Sequence, residues 1–193
     1  MLSAIHAKGI IMSIKLRSLV LPLLAIAVSP LLNACNEVPD SLPEIRRIVT
    51  AENAAGESIV IADDAGSNIV ELNGSRIVRL WETTDMPVSL SVDRDIGATA
   101  GNAYREGFVG SSFYVAEIPP GSDLSNIPLH KQESIDYIAV LEGEIVLVLP
   151  EQELRMTRGD ILIQAGNVHS WVNDTDQTCR ILVVVLTGTR DNS

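Results

Sequence analysis

From residue 45 onward the chain alternates between short apolar runs and clusters of turn-forming residues. The runs are "IRRIVT", "SIVIAD", "NIVEL", "RIVRLWE", "SSFYVAEI", "DYIAVL", "EIVLVL", "ELRMT", "DILIQ", "HSWVN" and "RILVVVL". Between them fall "AAG", "DDAGS", "NGS", "PPGS", "EG", "RGD" and "NDTDQ", where Gly, Asn, Asp and Pro supply the backbone conformations that tight turns need. No segment sustains a helical apolar period. Around ten short strands at close spacing predict an all-β domain, a sandwich or barrel of antiparallel sheets.

Within that pattern, "VLEGEIVLV" sets Glu142 and Gly143 between two apolar runs, which predicts a tight hairpin. Those runs and "ILVVVL" near the end are apolar on both faces, as strands are when the barrel or a partner subunit covers each side. Gly143, Gly159 and Gly166 read as turn positions that need unusual backbone angles. Residues 83–110 are polar and glycine-rich with little periodicity, and so long a loop in a compact domain is either functional or mobile.

The N-terminal stretch differs. Residues 19–32, "LVLPLLAIAVSPLL", hold no charge, and the segment before them carries Lys8, Lys15 and Arg17 with no acid. A basic segment, then a short apolar core, then small residues predict a cleaved secretory signal over residues 1–34 rather than a spanning helix. Pro22 and Pro30 argue against a buried helix of the fold. Met12, as a start, would give the signal a more usual length. The block ends "LLNAC", which resembles the lipobox of bacterial lipoproteins. That resemblance implies cleavage before Cys35 and lipid on its sulfur. With Asn36 next rather than Asp, it also implies an outer-membrane anchor facing the periplasm. The alternative is a soluble secreted or periplasmic chain in which Cys35 is an unpaired thiol. Residues 35–44, with Pro39 and Pro43, read as a tether, and residues 45–190 as the folded domain.

The 193 residues suit one domain plus this appendage. Removing residues 1–34 leaves 11 basic residues against 25 acidic ones, a formal charge of −14. Such a surface repels nucleic acid and anionic headgroups, so membrane attachment has to come from the lipid. Cys179, in "TCRILVVVL", is left without a disulfide partner and reads as a small core residue.

The candidate chemistry concentrates in two segments. "HKQESID" carries His130, Gln132 and Asp136 on the approach to an apolar run, and "GDILIQAGNVHSWVN" carries His169, Trp171 and Asn173. Residues two apart on a strand face the same way, so His130, Gln132 and Asp136 share a side unless the chain bends at Glu133 and Ser134. Two imidazoles and a carboxylate facing into a dry barrel suit a divalent cation with positions left for water or substrate. A buried Asp136 calls for a counter-charge. The bland alternative makes both histidines hydrogen-bonded strand-edge residues, with Asp136 capping a hairpin or pairing with an arginine.

The two segments resemble the two motifs of the cupin superfamily. The first motif, Gly, five residues, His-x-His, three or four residues, Glu, six residues, Gly, is matched by His130, Gln132, Asp136 and Gly143. The second, Gly, five residues, Pro-x-Gly, two residues, His, three residues, Asn, is matched by Gly159, Gly166, His169 and Asn173, one residue short before His169. The likeness, to small single-domain cupins of bacteria and fungi, covers most of residues 45–190.

It implies a single-domain jelly-roll β-barrel that binds Fe(II), Mn(II) or Zn(II) through His130, Asp136 and His169. Typical cupins use three histidines and a glutamate; here Gln132 and Asp136 stand at two of those positions. The resemblance further implies an oxygenase, isomerase or decarboxylase acting on a small oxygen-bearing substrate. Gln132, Tyr137 and Trp171 would line the substrate pocket, with Gln132 and Glu133 as catalytic candidates. The alternative is a lipid-anchored barrel that binds a sugar or aromatic acid without turnover. Dimers are common among cupins, which together with the doubly apolar strands implies a homodimer.

Overall fold

The computed structural model describes residues 42–90, 94–102, 105–121 and 128–190. The expected signal segment with Met12, the lipidation candidate Cys35 and the tether up to residue 41 lie outside the described residues. Each apolar run from residue 45 onward becomes a strand. In chain order these are β1 Arg47–Glu52, β2 Ser58–Asp64, β3 Ile69–Leu72, β4 Ser75–Thr83, β5 Ser111–Ile118 and β6 Ser134–Glu142, then β7 Glu144–Leu149, β8 Gln152–Thr157, β9 Ile161–Ala165, β10 Ser170–Val172 and β11 Cys179–Thr187. Among the described residues no helix is long and apolar enough to cross a membrane.

The strands form a six-stranded sheet, β3-β4-β5-β11-β6-β9, a three-stranded sheet, β10-β7-β8, and the hairpin β1-β2. All pairings are antiparallel. This is an all-β fold of the jelly-roll kind. The main core joins the two larger sheets: Ala116, Ile138, Val140, Ile181, Val183 and Val185 from one meet Ile145, Leu147 and Met156 from the other. Cys179 is fully buried there, and burial pushes its thiol up to about 12.

The expected hairpin at Glu142 and Gly143 is corrected by the topology. β6 has β11 on one edge and β9 on the other, so no edge is left for β7, which pairs with β10 and β8. Gly143, at φ 71°, instead turns a corner that carries the chain from one sheet to the other. A Cβ there would lie 2.9 Å from the Thr178 carbonyl oxygen, so the corner admits glycine for space as well as for angle.

The outer face of the six-stranded sheet is covered at its β4–β5 end. Arg47 of β1 is buried and grips two carboxylates. Its Nε and Nη2 donate to Asp64, and Nη1 and Nη2 donate to Asp95 at 2.7 and 2.6 Å. Nη1 also donates to the Leu80 carbonyl. That one guanidinium ties β1, β2, the start of residues 94–102 and β4 together, above a small cluster of Val78, Leu80 and Val115. Asn68 Nδ2 adds bonds to the Gly97 and Ala100 carbonyls. Residues 94–102 of the long loop are therefore pinned structure, and none of them lines the main cavity described below. Across β11, β5 and β4, Arg180, Glu117 and Arg76 sit in register and form an ion-paired row.

Candidate functional site

The site lies where the two larger sheets meet. β9 belongs to the six-stranded sheet and β10 to the three-stranded one, so residues 166–169 cross between them. Gly166, at φ 59°, starts the crossing, packed so closely on the Gln132 backbone that a Cβ would stand 2.8 Å from its carbonyl oxygen. The crossing ends at His169. The segment approaching β6 comes alongside, and His130 and His169 form an isolated antiparallel bridge: N–H to carbonyl at 2.9 and 2.8 Å, one in each direction.

That bridge sets the two rings together, with centroids 4.4 Å apart and planes tilted by 55°. Each ring is further oriented from its own chain. His169 Nδ1 lies 2.9 Å from the Asn167 carbonyl and His130 Nδ1 lies 3.3 Å from the Pro128 carbonyl. A carbonyl only accepts, so each Nδ1 is the donating nitrogen, and in a neutral ring Nε2 is the one that keeps a lone pair. His169 is 4% exposed, and burial, the largest influence, holds it below its ordinary value and so in the neutral form that binds metals.

Asp136, on the inward face of β6, completes the group. It is 4% exposed, and burial pushes its carboxyl above the ordinary range. Ser134 donates to its Oδ1 at 2.7 Å, and His169 and His130 are the charges that pull the other way. No ion pair among the described residues supplies the expected counter-charge. Among the described residues no arginine pairs with Asp136.

These residues open on a cavity of about 590 Å³. His130, Gln132, Asp136, Gln164 and His169 form a polar wall, and Ile77, Tyr114, Ile138, Ile181, Val183 and Trp171 are among the residues of the other walls. Trp171 presents its ring edge to His169, with centroids 6.3 Å apart. Although the chain bends at Glu133, His130, Gln132 and Asp136 all reach this cavity.

Two sequence expectations are corrected. Tyr137 follows the inward Asp136, so strand alternation sends it outward; it is 41% exposed and absent from the cavity lining. Glu133 is exposed, faces Arg190 at 3.8 Å and is absent from the lining of this cavity.

Two residues gain roles the sequence did not reveal. Asn173 is fully buried and holds the loop after β10. Its Nδ2 donates to the Ile118 and Gln177 carbonyls, and its Oδ1 accepts from the Thr175 N–H and hydroxyl. Gln164 stands opposite Asp136 in the β6–β9 register. Its Oε1 and Nε2, with Gln132 Oε1, are the buried side-chain nitrogen and oxygen atoms that lack a hydrogen-bond partner among the described residues. Each such atom costs about 1–3 kcal/mol.

By kind of donor the set fits a divalent cation: two imidazole lone pairs, one carboxylate and the unpartnered amide oxygen of Gln132. By distance it is open, since among the described residues no three His, Cys, Asp or Glu side chains already close on one point.

Residues 114–185 match a family described as "Cupin domain". The chain is 29% identical over 141 residues to a cupin-domain-containing oxidoreductase of Aspergillus ruber, covering 69% of this chain and 66% of that protein. This chain therefore spans just under two thirds of that relative's length. It is 33% identical over 144 residues to phomopsin biosynthesis cluster protein D of Diaporthe leptostromiformis, covering 68% of this chain and 73% of that protein. Among solved structures, the Schizosaccharomyces pombe Cnp3 cupin domain matches with a TM-score of 0.45 and 17% identity, over 76% of this chain and 89% of that one.

Proposed function

The chain belongs to the cupin family, and we propose that it is a metal-dependent enzyme acting on a small oxygen-bearing organic substrate. Among the expected classes, the name of the Aspergillus ruber relative supports an oxidoreductase over an isomerase or decarboxylase. The observation that carries the reading is the meeting of His130 and His169 beside buried Asp136 on one cavity wall.

His130, His169 and Asp136 would hold Fe(II), Mn(II) or Zn(II), with Gln132 Oε1 as a neutral fourth donor. When bound, the cation supplies electrophilic activation of a coordinated oxygen. The chain's own residues do the rest. The Asn167 and Pro128 carbonyls accept from the two Nδ1 atoms, which leaves each Nε2 as the nitrogen that would meet a ligand. Asp136 contributes one negative charge within a wall that has no other acid. Trp171 and the aliphatic walls take the apolar body of the substrate.

The test is turnover. The purified protein is given each of the three metals in turn, with small hydroxy-ketones, diketones and phenols, while oxygen uptake and products are followed. Turnover with one metal that His169→Ala abolishes is expected. A lack of metal-dependent turnover, with ligand binding equal in wild type and His169→Ala, would favour the rival: a binding barrel without catalysis. The open donor set, with Gln132 in place of a histidine, is the observation on that rival's side.

Two further parts of the reading concern assembly. The outer face of β6 and β9 carries Tyr137, Ile161 and Ile163, the latter two 70% and 64% exposed, and β9 is the last strand of its sheet. A second copy of this chain is the occupant that suits it, because two such edges pair antiparallel about a two-fold axis. The "LLNAC" sequence supports a lipid on Cys35 and a periplasm-facing outer-membrane location. Loss of membrane association in Cys35→Ser would follow from it, and unchanged association would contradict it.

A further inference from the structure

The polar wall holds more than metal donors. We propose that Gln164 reads the substrate, and that its carboxamide takes a neutral group presenting a hydrogen-bond donor and an acceptor side by side, such as an amide, a lactam or an enolised ketone. This rests on the cavity being the working site, as argued above.

Gln164 lies on β9, faces inward and is 3% exposed. Although it stands opposite Asp136 in the β6–β9 register, both ends of its amide are without a hydrogen-bond partner among the described residues. Exchanging the oxygen and nitrogen of the amide changes nothing, because both positions are orphaned. The third orphaned atom, Gln132 Oε1, belongs to the same cavity lining. Elsewhere among the described residues each fully buried side-chain nitrogen and oxygen has a partner, and Asn173 makes four bonds. Unpaired amides gathered in one cavity therefore point to a partner that arrives from outside.

The partner's chemistry follows from the lining. An amide donates through nitrogen and accepts through oxygen, so its complement offers one acceptor and one donor on neighbouring atoms. No lysine or arginine lines the cavity among the described residues, and Asp136 is an acid. A carboxylate or phosphate therefore finds no lysine or arginine there, only the two imidazoles. The aliphatic walls and Trp171 suit an apolar or aromatic body, and a cavity of about 590 Å³ accommodates a small molecule.

Benzamide, N,N-dimethylbenzamide and benzoate separate the possibilities, with binding to the protein followed by NMR titration and metal content measured alongside. Benzamide is expected to bind at least about tenfold more tightly than the other two, because only it is neutral and offers both partners. Gln164→Met, of similar volume, is expected to erase that preference while leaving the metal content unchanged. The same variant is expected to keep or raise the thermal midpoint, which a merely structural glutamine would lower. The inference is overturned if benzamide holds no advantage over benzoate in wild type. It is equally overturned if the advantage survives in Gln164→Met. If the protein holds no metal yet the preference depends on Gln164, the enzymatic reading fails and this one stands. Metal retained with no role for Gln164 gives the reverse.

Discussion

His130 and His169 bond to each other through their backbones in both directions, and this reciprocal bridge holds their rings 4.4 Å apart. The rings are placed by main chain before any ligand arrives. One approaches β6 and the other leaves the crossing after β9, so the pair is only as well positioned as the turn at Gly166. That turn sits against the Gln132 carbonyl with no room for a side chain.

Gly166→Val tests this dependence. It forces a β-branched residue to a φ of 59° and a Cβ within 2.8 Å of a carbonyl oxygen. Strain of this kind costs about 1–3 kcal/mol. Metal affinity is expected to fall at least about tenfold in protein that still shows a β-type circular dichroism spectrum. Unchanged affinity would mean that the turn does not position the histidines.

Asn173→Ala removes four hydrogen bonds from a fully buried position and leaves the Ile118 and Gln177 carbonyls without that donor. A loss of about 2–4 kcal/mol is expected, seen as a thermal midpoint lowered by about 4–16 °C. A drop under about 1 °C would show that the loop after β10 holds without it.

Acid should loosen the outer layer. The hydrogen bonds from Arg47 hold Asp95 below its ordinary 3.8, and the same guanidinium with the Gly66 N–H does so for Asp64. Burial pushes Glu117 up, but Arg180 and Arg76 outweigh it and hold it below its ordinary 4.5. Carboxyls depressed in the folded state stabilise fully above their unfolded values and lose that contribution as pH falls through the folded ones. Buried neutral His169 is expected to start a decline as pH falls below its ordinary 6.5, opposed by Asp136 with its raised carboxyl, and these depressed carboxyls to steepen it below about pH 4.5. Asp95→Asn combined with Glu117→Gln should lower stability at pH 7 and flatten the acid limb in urea titrations. An acid limb identical to wild type would contradict the assignment.

The exposed β6–β9 face predicts assembly. Light scattering behind size exclusion should give twice the chain mass for wild type and a single chain mass for Ile163→Lys. A monomeric wild type would leave Ile161 and Ile163 as bare surface.

The strands were legible because turn chemistry bounds each apolar run, and the histidine pair because the two segments that carry it resemble the two cupin motifs. What escaped the sequence was which way a doubly apolar strand faces. In "DILIQ", alternation alone would send Ile161 and Ile163 inward and Gln164 to solvent; the structure does the opposite, burying the amide and exposing both isoleucines. The outward place of Tyr137 was already fixed once Asp136 was taken as inward. The corner at Gly143 escaped for another reason. A hairpin and a sheet-to-sheet turn share the same local residues, and only the distant strands β9 and β11, by taking both edges of β6, exclude the hairpin.

The central claim is that His130, Asp136 and His169 jointly hold one cation, and elemental analysis of the purified protein tests it most directly. About one equivalent of Fe, Mn or Zn per chain is expected in wild type, falling to background in His130→Ala and in His169→Ala, each still folded. Folded wild type without stoichiometric metal after incubation with all three ions would contradict it, as would variants that keep the full equivalent.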